Sequence, residues 1–317
     1  MNKSLLYKYI NLLLRLLIGA AALILILYKL KDDFVNPLYS QLFQISHIHY
    51  IIIASLLLFF NWGIEAYKWR FLMKDIENIS FFTAFKLTIT AITIGIITPN
   101  RIGEIPGRVL LLNNKNQFAA AILKTGIGAF SQLIITFILG TIAVFFTIEL
   151  YQFHLNFIYV KVALLLITIL LLLVYFLHQL LKEFLYKIPY LRKKKWLDGL
   201  EGFTFNQLFY ILFLSGLRYF FFSLQYYLVL LAFGVNFNSY NAVLLIPLCF
   251  MITSVIPTLL ISEIGVRGSV ALLVFGIITN NEIAIVFSSV LLWVINVAAP
   301  ALIGLFFMKG LTFLQEK

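Results

Sequence analysis

The sequence is poor in charged residues, and this shortage limits the class of protein. Only 12% of its 317 residues are Asp, Glu, Lys or Arg, whereas 62% are hydrophobic. Ordinary soluble domains have about 25% charged and about 45–50% apolar residues. The hydrophobic residues also form long blocks, without loops of soluble character longer than about 25 residues. These proportions exclude a soluble globular protein. They predict an all-α, polytopic helical membrane protein with one integral membrane domain over residues 1–317.

Cysteine and the common catalytic motifs are equally scarce. The only cysteine, Cys249, lies in an apolar run, which excludes a disulfide framework and a thiolate metal site. The four histidines are scattered, and the sequence has no His-Glu-x-x-His, Gly-x-Ser-x-Gly or Walker-type pattern. We therefore predict no catalytic residue, no metal and no cofactor, although a membrane enzyme is not excluded.

Acidic residues are few relative to basic ones, with 13 against 24 and a net charge of +11. In a membrane protein this excess indicates lysine and arginine kept at cytoplasmic helix ends, so no nucleic-acid partner is expected. The densest basic stretch, residues 182–198, is predicted to be a cytoplasmic loop. Lys3 and Lys8 precede an apolar stretch that is predicted to be a spanning helix and not a removed signal. These features predict a multi-pass protein of the bacterial inner membrane, with both termini in the cytoplasm.

Long apolar runs predict about six full transmembrane helices. They cover approximately residues 10–30, 48–69, 118–148, 157–177, 206–233 and 283–308. Two shorter runs, at about 81–97 and 240–256, each lead into an irregular segment and are predicted to be half-spans.

The first irregular segment, Thr98–Arg108, contains prolines, glycines and charges between two apolar runs. At membrane depth, irregular backbone and charge are tolerated only where they are buried in protein or face a wet cavity. We therefore predict that this segment is half of a functional site. Its predicted helix-breaking residues are Pro99, Asn100, Gly103, Pro106 and Gly107.

A second segment, Pro257–Gly268, has a similar order of residues. Each segment has a proline, a glutamate five or six residues later, and an arginine four residues after that. Matching broken segments in two halves are typical of repeat-built transporters. We predict repeat one at about 48–148 and repeat two at about 206–308. The predicted helix-breaking residues of the second segment are Pro257, Ser262, Gly265 and Gly268.

The positive-inside rule predicts how these segments cross the membrane. If residues 81–97 crossed fully, the basic stretch 182–198 would lie outside, against the rule. If Thr98–Arg108 is instead the tip of a re-entrant helix pair, the chain returns inside at Lys115 and the basic stretch lies inside. We therefore predict two re-entrant pairs of opposite orientation, as in an inverted-repeat transporter.

The charges of the two segments predict a site for an anionic headgroup. A broken helix exposes backbone N–H groups that favour an anion, and arginine forks suit phosphate. Arg108 and Arg267 are predicted to clamp the phosphate, whereas Glu104 and Glu263 gate or neutralise them. Alternatively, each glutamate and its arginine form a purely structural ion pair.

Five further cations complete the predicted substrate-binding set. Some of them have a second interpretation, because Lys68 and Arg70 lie among aromatic residues at a helix end, where an interfacial belt is expected. Snorkelling also explains Lys124 as well as an inward position does. The five residues are Arg101, Arg218, Lys68, Arg70 and Lys124.

These motifs resemble the lysylphosphatidylglycerol synthase transmembrane-domain family over nearly the whole chain. The resemblance is carried by Glu65-Ala-Tyr-Lys-Trp-Arg70, by Thr98-Pro-Asn-Arg-Ile-Gly-Glu104 with Arg108, and by Ile264-Gly-Val-Arg267 after Ile256-Pro257. In two-domain members, such as the multiple peptide resistance factor, the membrane half is held to move aminoacylated phosphatidylglycerol between leaflets. A separate soluble domain makes that lipid. The sequence lacks such a domain, so we do not expect it to synthesise the lipid.

The resemblance implies a flippase-like transporter, with one departure in the second segment. Ser262-Glu263 stands where the family commonly has a glycine pair, and Gly268 stands where a glutamate follows the arginine. We expect movement of an anionic phospholipid or an isoprenoid-phosphate lipid by alternating access. The alternatives are an integral-membrane transferase that acts on a lipid-linked substrate, and a non-transporting subunit that presents lipid to an enzyme.

Overall fold

The computed structural model describes residues 47–96, 98–114, 116–150, 157–177, 202–235, 238–256 and 263–308, together with residues 183 and 187. The predicted span at residues 10–30, Lys115 and almost all of the basic stretch at 182–198 lie outside these residues. Pro257 and Ser262 also lie outside them.

Every regular element of the described part is a helix. Ten α-helices follow one another: α1 Ile48–Met73, α2 Phe81–Gly95, α3 Glu104–Leu110, α4 Phe118–Leu150, α5 Ile158–Phe176, α6 Phe205–Ala232, α7 Ser239–Val255, α8 Glu263–Phe275, α9 Glu282–Trp293 and α10 Ala299–Met308. A 3₁₀ turn, Pro99–Arg101, precedes α3, and a π-helical segment, Val294–Ala298, joins α9 to α10.

Five of the described helical stretches are long and apolar enough to cross a membrane. They are α1, Phe118–Thr147 within α4, α5, α6, and the continuous stretch Glu282–Met308. This confirms the prediction of a polytopic helical membrane protein. In contrast, α2 has 15 residues and α7 has 17. At 1.5 Å per residue they measure about 22 and about 26 Å, shorter than a hydrocarbon core of about 30 Å.

The helices α1 and α6 pack against each other in antiparallel orientation. Near the start of α1, the amide of Gln225 donates a hydrogen bond to the Ala54 carbonyl at 2.9 Å. Near the end of α1, the Tyr210 hydroxyl lies 3.4 Å from that of Tyr67. Residue numbers therefore rise in opposite directions along the two helices, so α1 ends where α6 begins.

The helices α2 and α3 form a hairpin whose two open ends meet. Glu77, in the loop between α1 and α2, accepts hydrogen bonds from the backbone N–H groups of Asn113 and Asn114 at 2.8 and 3.0 Å. Both asparagines lie in the turn that follows α3, three and four residues after its last residue. The chain therefore leaves the end of α1, enters the protein through α2, and returns through α3 to the same end of the molecule.

The helices α7 and α8 form a second hairpin with the opposite orientation. Val235, which precedes α7, belongs to the same buried cluster as Leu230 near the end of α6 and Phe275 at the end of α8. This hairpin therefore opens where α6 ends. Because α1 and α6 are antiparallel, the two hairpins open toward opposite ends of the molecule.

Each hairpin packs closely against the other half of the chain at one glycine. A Cβ atom at Gly304 in α10 would lie 2.7 Å from the Ile89 carbonyl oxygen in α2. A Cβ atom at Gly140 in α4 would lie 2.5 Å from the Met251 Cβ atom in α7. The first arm of each hairpin therefore packs against a helix of the opposite half. At each contact there is room for the hydrogen atom of glycine but not for a Cβ atom.

Candidate functional site

A cavity of about 510 Å³ lies between the tip of the first hairpin, the end of α7, the start of α8, and the middles of α1 and α6. Both irregular segments that the sequence singled out contribute to its wall, and α4 and α9 close it. Among the described residues, its charged lining consists of Glu65, Arg101, Glu104, Arg108, Arg218, Glu263 and Arg267. Its uncharged polar lining includes Asn61, Gln132, Thr253, Ser254 and Asn296.

Glu65 of α1 lies at the centre of the charged lining and binds three cations. Its Oε1 atom accepts a hydrogen bond from Arg108 Nη1 at 2.7 Å. Its Oε2 atom lies 2.9 Å from Lys68 Nζ and 3.0 Å from Arg218 Nη1. One carboxylate thus joins α1, the first hairpin and α6, and it holds two guanidinium groups next to each other.

Lys68 binds the Glu65 carboxylate from outside the cavity lining. Its side chain is 1% exposed, and its Nζ atom also donates to the Gly128 carbonyl at 3.0 Å and to Ser215 Oγ at 3.1 Å. An ammonium group has three N–H donors, and all three have partners here. Lys68 therefore anchors α1 to α4 and α6, and it does not line the cavity.

The tip of the first hairpin is a tight turn before α3. Asn100 and Arg101 have φ angles of 47° and 57°, and such left-handed residues reverse the chain. The Thr98 hydroxyl closes the turn, because it donates to the Gly95 carbonyl and accepts from the Gly103 N–H, each at 2.8 Å. A Cβ atom at Gly103 would lie 2.7 Å from Thr98 Cγ2, so glycine is required there.

Glu104 links the two arginines of this hairpin. Its Oε1 atom accepts a hydrogen bond from Arg101 Nε at 2.6 Å, and its Oε2 atom lies 3.7 Å from Arg108 Nη2. Glu104 is also the first residue of α3, as Glu263 is of α8. A glutamate of the chain itself therefore lies at the positive, N-terminal end of each of these two helices. The sequence analysis instead predicted an anionic ligand at these ends.

The second hairpin contributes one ion pair across a single helical turn. The guanidinium of Arg267 reaches Glu263 Oε1 through Nε at 3.1 Å and through Nη2 at 3.0 Å. The Glu263 side chain is 6% exposed and the Arg267 side chain 24%. Both residues line the cavity.

Arg218 is held in place by an aromatic ring and by a pair of asparagines. Its guanidinium lies 4.9 Å from the ring centroid of Trp62, and its Nε atom donates to Asn61 Oδ1 at 3.0 Å. Asn61 in turn donates to Asn296 Oδ1 at 2.7 Å. Asn296 lies in the π-helical segment, four residues before Pro300. Because proline has no N–H, it cannot bond the Asn296 carbonyl, and the helix widens there.

Several polar atoms of the cavity wall lack a hydrogen-bond partner among the described residues. They include Trp62 Nε1, Arg108 Nε, Gln132 Oε1 and the Tyr219 hydroxyl. Trp62 and Arg108 are only 2% and 5% exposed. Buried polar groups normally have a partner, and an unsatisfied one costs about 1–3 kcal/mol. The wall therefore has unused capacity to bond a ligand or water.

Positive charge is in excess around the cavity. Four arginines and three glutamates line it, and Lys68 is bonded to one of these glutamates. Within the described part of the chain, five cations thus share three carboxylates. Uncompensated charge is expensive at membrane depth, so this arrangement favours an anion in the cavity.

Two of the predicted substrate-binding cations lie away from the cavity. Arg70 donates to the Ile79 carbonyl at 2.9 Å in the loop after α1. Lys124 pairs with Asp75 at 2.8 Å, and its ammonium lies 5.4 Å from the Phe203 ring centroid. These positions fit the interfacial interpretation of both residues, because their partners lie at the helix ends.

Fewer of the predicted helix-breaking residues lie outside helices than the sequence analysis expected. Pro99 and Asn100 lie in the irregular turn, but α3 runs through Pro106 and Gly107, and α8 runs through Gly265 and Gly268. Pro106 is tolerated because the first turn of a helix needs no N–H donor. A Cβ atom at Gly265 would meet nothing within 4 Å, so no close approach explains that glycine.

Sequence reasoning predicted Lys68 of α1 as a site residue but did not include Asn61 and Glu65 of the same helix. Asn61, Glu65 and Lys68 recur at intervals of four and three residues in an otherwise apolar helix. That spacing places them on one face, and polar residues on one face of a spanning helix indicate an interior position. Their mixture with Trp69 and Arg70 at the helix end favoured an interfacial interpretation instead. Gln132, Trp62 and Asn296 were also not singled out.

One comparison with known proteins gives a match. A family model described as "Lysylphosphatidylglycerol synthase TM region" matches residues 12–304. No curated protein and no solved structure matches the chain significantly.

Proposed function

Since the chain belongs to the Lysylphosphatidylglycerol synthase TM region family, we propose that this integral membrane protein is a lipid transporter. It moves an anionic phospholipid or an isoprenoid-phosphate lipid between the leaflets of the bacterial inner membrane. The family relates the chain to membrane lipids, and the geometry of the cavity supports the more specific assignment.

The observation that carries the proposal is the cavity between the two hairpins. Arg108 of the first hairpin, Arg267 of the second and Arg218 of α6 all line it. Arginine forks bind phosphate oxygens in a bidentate manner, and their number exceeds what the local carboxylates neutralise. A phosphate headgroup at this position would contact both halves of the protein at once.

The glutamates of the cavity compete with a ligand for these arginines. Glu104 lies between Arg101 and Arg108, and Glu263 holds Arg267. A phosphate that enters the cavity competes with the carboxylates for the same donors. Binding therefore exchanges one set of charge-assisted hydrogen bonds for another, which limits the affinity and permits release on the other side.

The opposite orientation of the hairpins supports alternating access. The first hairpin opens toward one end of the molecule and the second toward the other, as inverted repeats require. Each first arm rests on the other half through a glycine contact, at Gly304 and at Gly140. A rocking motion of one hairpin against its partner helix would open the cavity to one leaflet and close it to the other.

Transbilayer movement of a fluorescent anionic phospholipid in proteoliposomes tests the proposal. We expect the purified protein to accelerate this movement, and we expect loss of the cavity arginines to abolish the acceleration. Movement that is no faster than in protein-free vesicles, for phospholipid and isoprenoid-phosphate probes alike, would refute the assignment.

A further inference from the structure

The three carboxylates of the cavity are all occupied by cations of the chain. Glu65 binds Arg108 at 2.7 Å, and Glu104 and Glu263 each accept a hydrogen bond from an arginine at 2.6 and 3.1 Å. A ligand ammonium would have to displace an arginine, and the displaced guanidinium would remain buried without a partner. The site is therefore poorly suited to a headgroup with a net positive charge.

The cations exceed the carboxylates by two charges in the described residues around the cavity. A phosphodiester carries one negative charge and leaves one cation uncompensated. A phosphate monoester has a second pKa near about 6 and carries close to two negative charges at neutral pH. The monoester thus neutralises the cluster, and its advantage grows because the effective dielectric constant is low.

The unpartnered groups of the wall favour a ligand that accepts hydrogen bonds. Trp62 Nε1 and Arg108 Nε are buried donors without partners among the described residues. Gln132 Oε1 is an unpartnered acceptor of that wall, and the Tyr219 hydroxyl, also without a partner among the described residues, can donate or accept. A phosphate monoester offers three terminal oxygens to these donors and to the arginines, whereas a diester offers two.

On the basis of the proposed function, we propose that the preferred headgroup is a dianionic phosphate monoester carried on a lipid tail. Phosphatidic acid and a polyprenyl monophosphate share this chemistry. The monoanionic diester of phosphatidylglycerol binds more weakly, and its lysyl ester, with a net positive charge, binds most weakly. Selection by headgroup charge would thus separate this chain from a carrier of aminoacylated lipid.

Competition binding to the purified full-length protein tests this order. The four probes are dioleoyl phosphatidic acid, a polyprenyl monophosphate, dioleoyl phosphatidylglycerol and lysyl-phosphatidylglycerol. At about pH 8 we expect at least one monoester to bind about tenfold tighter than phosphatidylglycerol, and at about pH 5 we expect most of this preference to be lost, because the monoester then carries one charge. A comparison of the two monoester probes shows whether the tail is diacylglycerol or isoprenoid.

The pH dependence arises from the ligand in this design. The titratable groups that line the cavity among the described residues are the three glutamates, four arginines and Tyr219, with Lys68 behind Glu65. No histidine lies in the described lining. The second pKa of a lipid phosphate monoester, near about 6, lies between these two pH values, so the ligand changes charge across this range.

Two variants change the cavity charge in opposite directions. Arg267→Gln lowers the excess positive charge of the cavity by one. It should therefore reduce the preference for monoester over diester about tenfold. Glu263→Gln raises this excess by one and should increase that preference. If either variant fails to fold, the proposal is tested by the pH dependence of the wild-type protein's preference for monoester over diester.

The outcomes separate this proposal from the transport proposal. Phosphatidylglycerol that binds as tightly as both monoesters at about pH 8, or lysyl-phosphatidylglycerol that binds tightest, would overturn the charge selection and leave lipid transport standing. If none of the four lipids binds, the transport proposal fails as well.

Discussion

The carboxylate of Glu65 lies 2.7 Å from the guanidinium of Arg108, although 43 residues separate them along the chain. This contact joins α1, which is long and apolar enough to cross a membrane, to the short arm of the first hairpin. Arg218 reaches the other oxygen of the same carboxylate at 3.0 Å. Glu65 therefore connects α1, the first hairpin and α6, which lie far apart in the sequence.

Loss of this carboxylate should destabilise the protein strongly. In Glu65→Gln, three buried cations lose their common partner, and removal of one member of a buried ion pair typically costs about 3–5 kcal/mol. We expect a clear fall in the midpoint of thermal unfolding in detergent. Glu282→Gln, at an exposed carboxylate in the first turn of α9, is the control and should change the midpoint little.

A second substitution can separate charge from packing. Lys68→Met in the Glu65→Gln background removes one uncompensated cation while it keeps a side chain of similar length. We expect part of the lost stability to return. A Glu65→Gln protein that unfolds at the wild-type temperature would show that the cluster is not held together by this carboxylate.

The glycine contact between α10 and α2 should not tolerate a methyl group. In Gly304→Ala, the new Cβ atom would meet the Ile89 carbonyl at 2.7 Å as well as Thr93 Oγ1. Overpacking typically costs about 1–3 kcal/mol, more than the about 0.5–1 kcal/mol that alanine contributes in a helix. We expect lower thermal stability and slower lipid movement.

Gly126→Ala is the matched control for this prediction. Gly126 lies within α4, and a Cβ atom there would meet nothing within 4 Å. Alanine should therefore leave stability unchanged or raise it slightly. Equal effects of the two alanine substitutions would contradict the close helix contact.

The opposite orientation of the hairpins can be tested by cysteine labelling. The described residues contain one cysteine, Cys249, which is buried, and its replacement by alanine gives a background for single labels. Asn116 follows the first hairpin, Asn280 follows the second, and both are exposed. An impermeant thiol reagent applied to sealed vesicles should label Asn116→Cys and Asn280→Cys from opposite sides. Labelling of both positions from the same side would rule out the inverted arrangement.

Much of the fold could be predicted because the bilayer imposes a simple rule on the sequence. Apolar runs gave the helices α1, α4 and α5 with starts within one residue of those observed, at Ile48, Phe118 and Ile158. The ion pair between Glu263 and Arg267 also follows from local spacing, because residues four apart share a helix face.

The pairing of distant residues could not be predicted in this way. Glu104 has the same spacing from Arg108, yet Arg108 makes its shortest bond to Glu65 and lies 3.7 Å from Glu104. That choice depends on how the first hairpin packs against α1, which no sequence period encodes. Asn61 and Asn296 likewise meet only because α1 and the π-helical segment come together in the folded protein.

The most direct test of the central claim compares three variants in one lipid-movement assay. Arg108→Gln and Arg267→Gln each remove a cavity cation from a different hairpin, whereas Lys86→Gln removes an exposed cation of α2 that lies outside the cavity lining. All three are reconstituted in equal amounts after a check of folding by thermal unfolding. The account predicts that Lys86→Gln moves the anionic lipid at the wild-type rate and that both arginine variants lose at least about 90% of it, as expected when a charge-assisted bond of about 1.5–3 kcal/mol is lost. Wild-type rates in both folded arginine variants would contradict it.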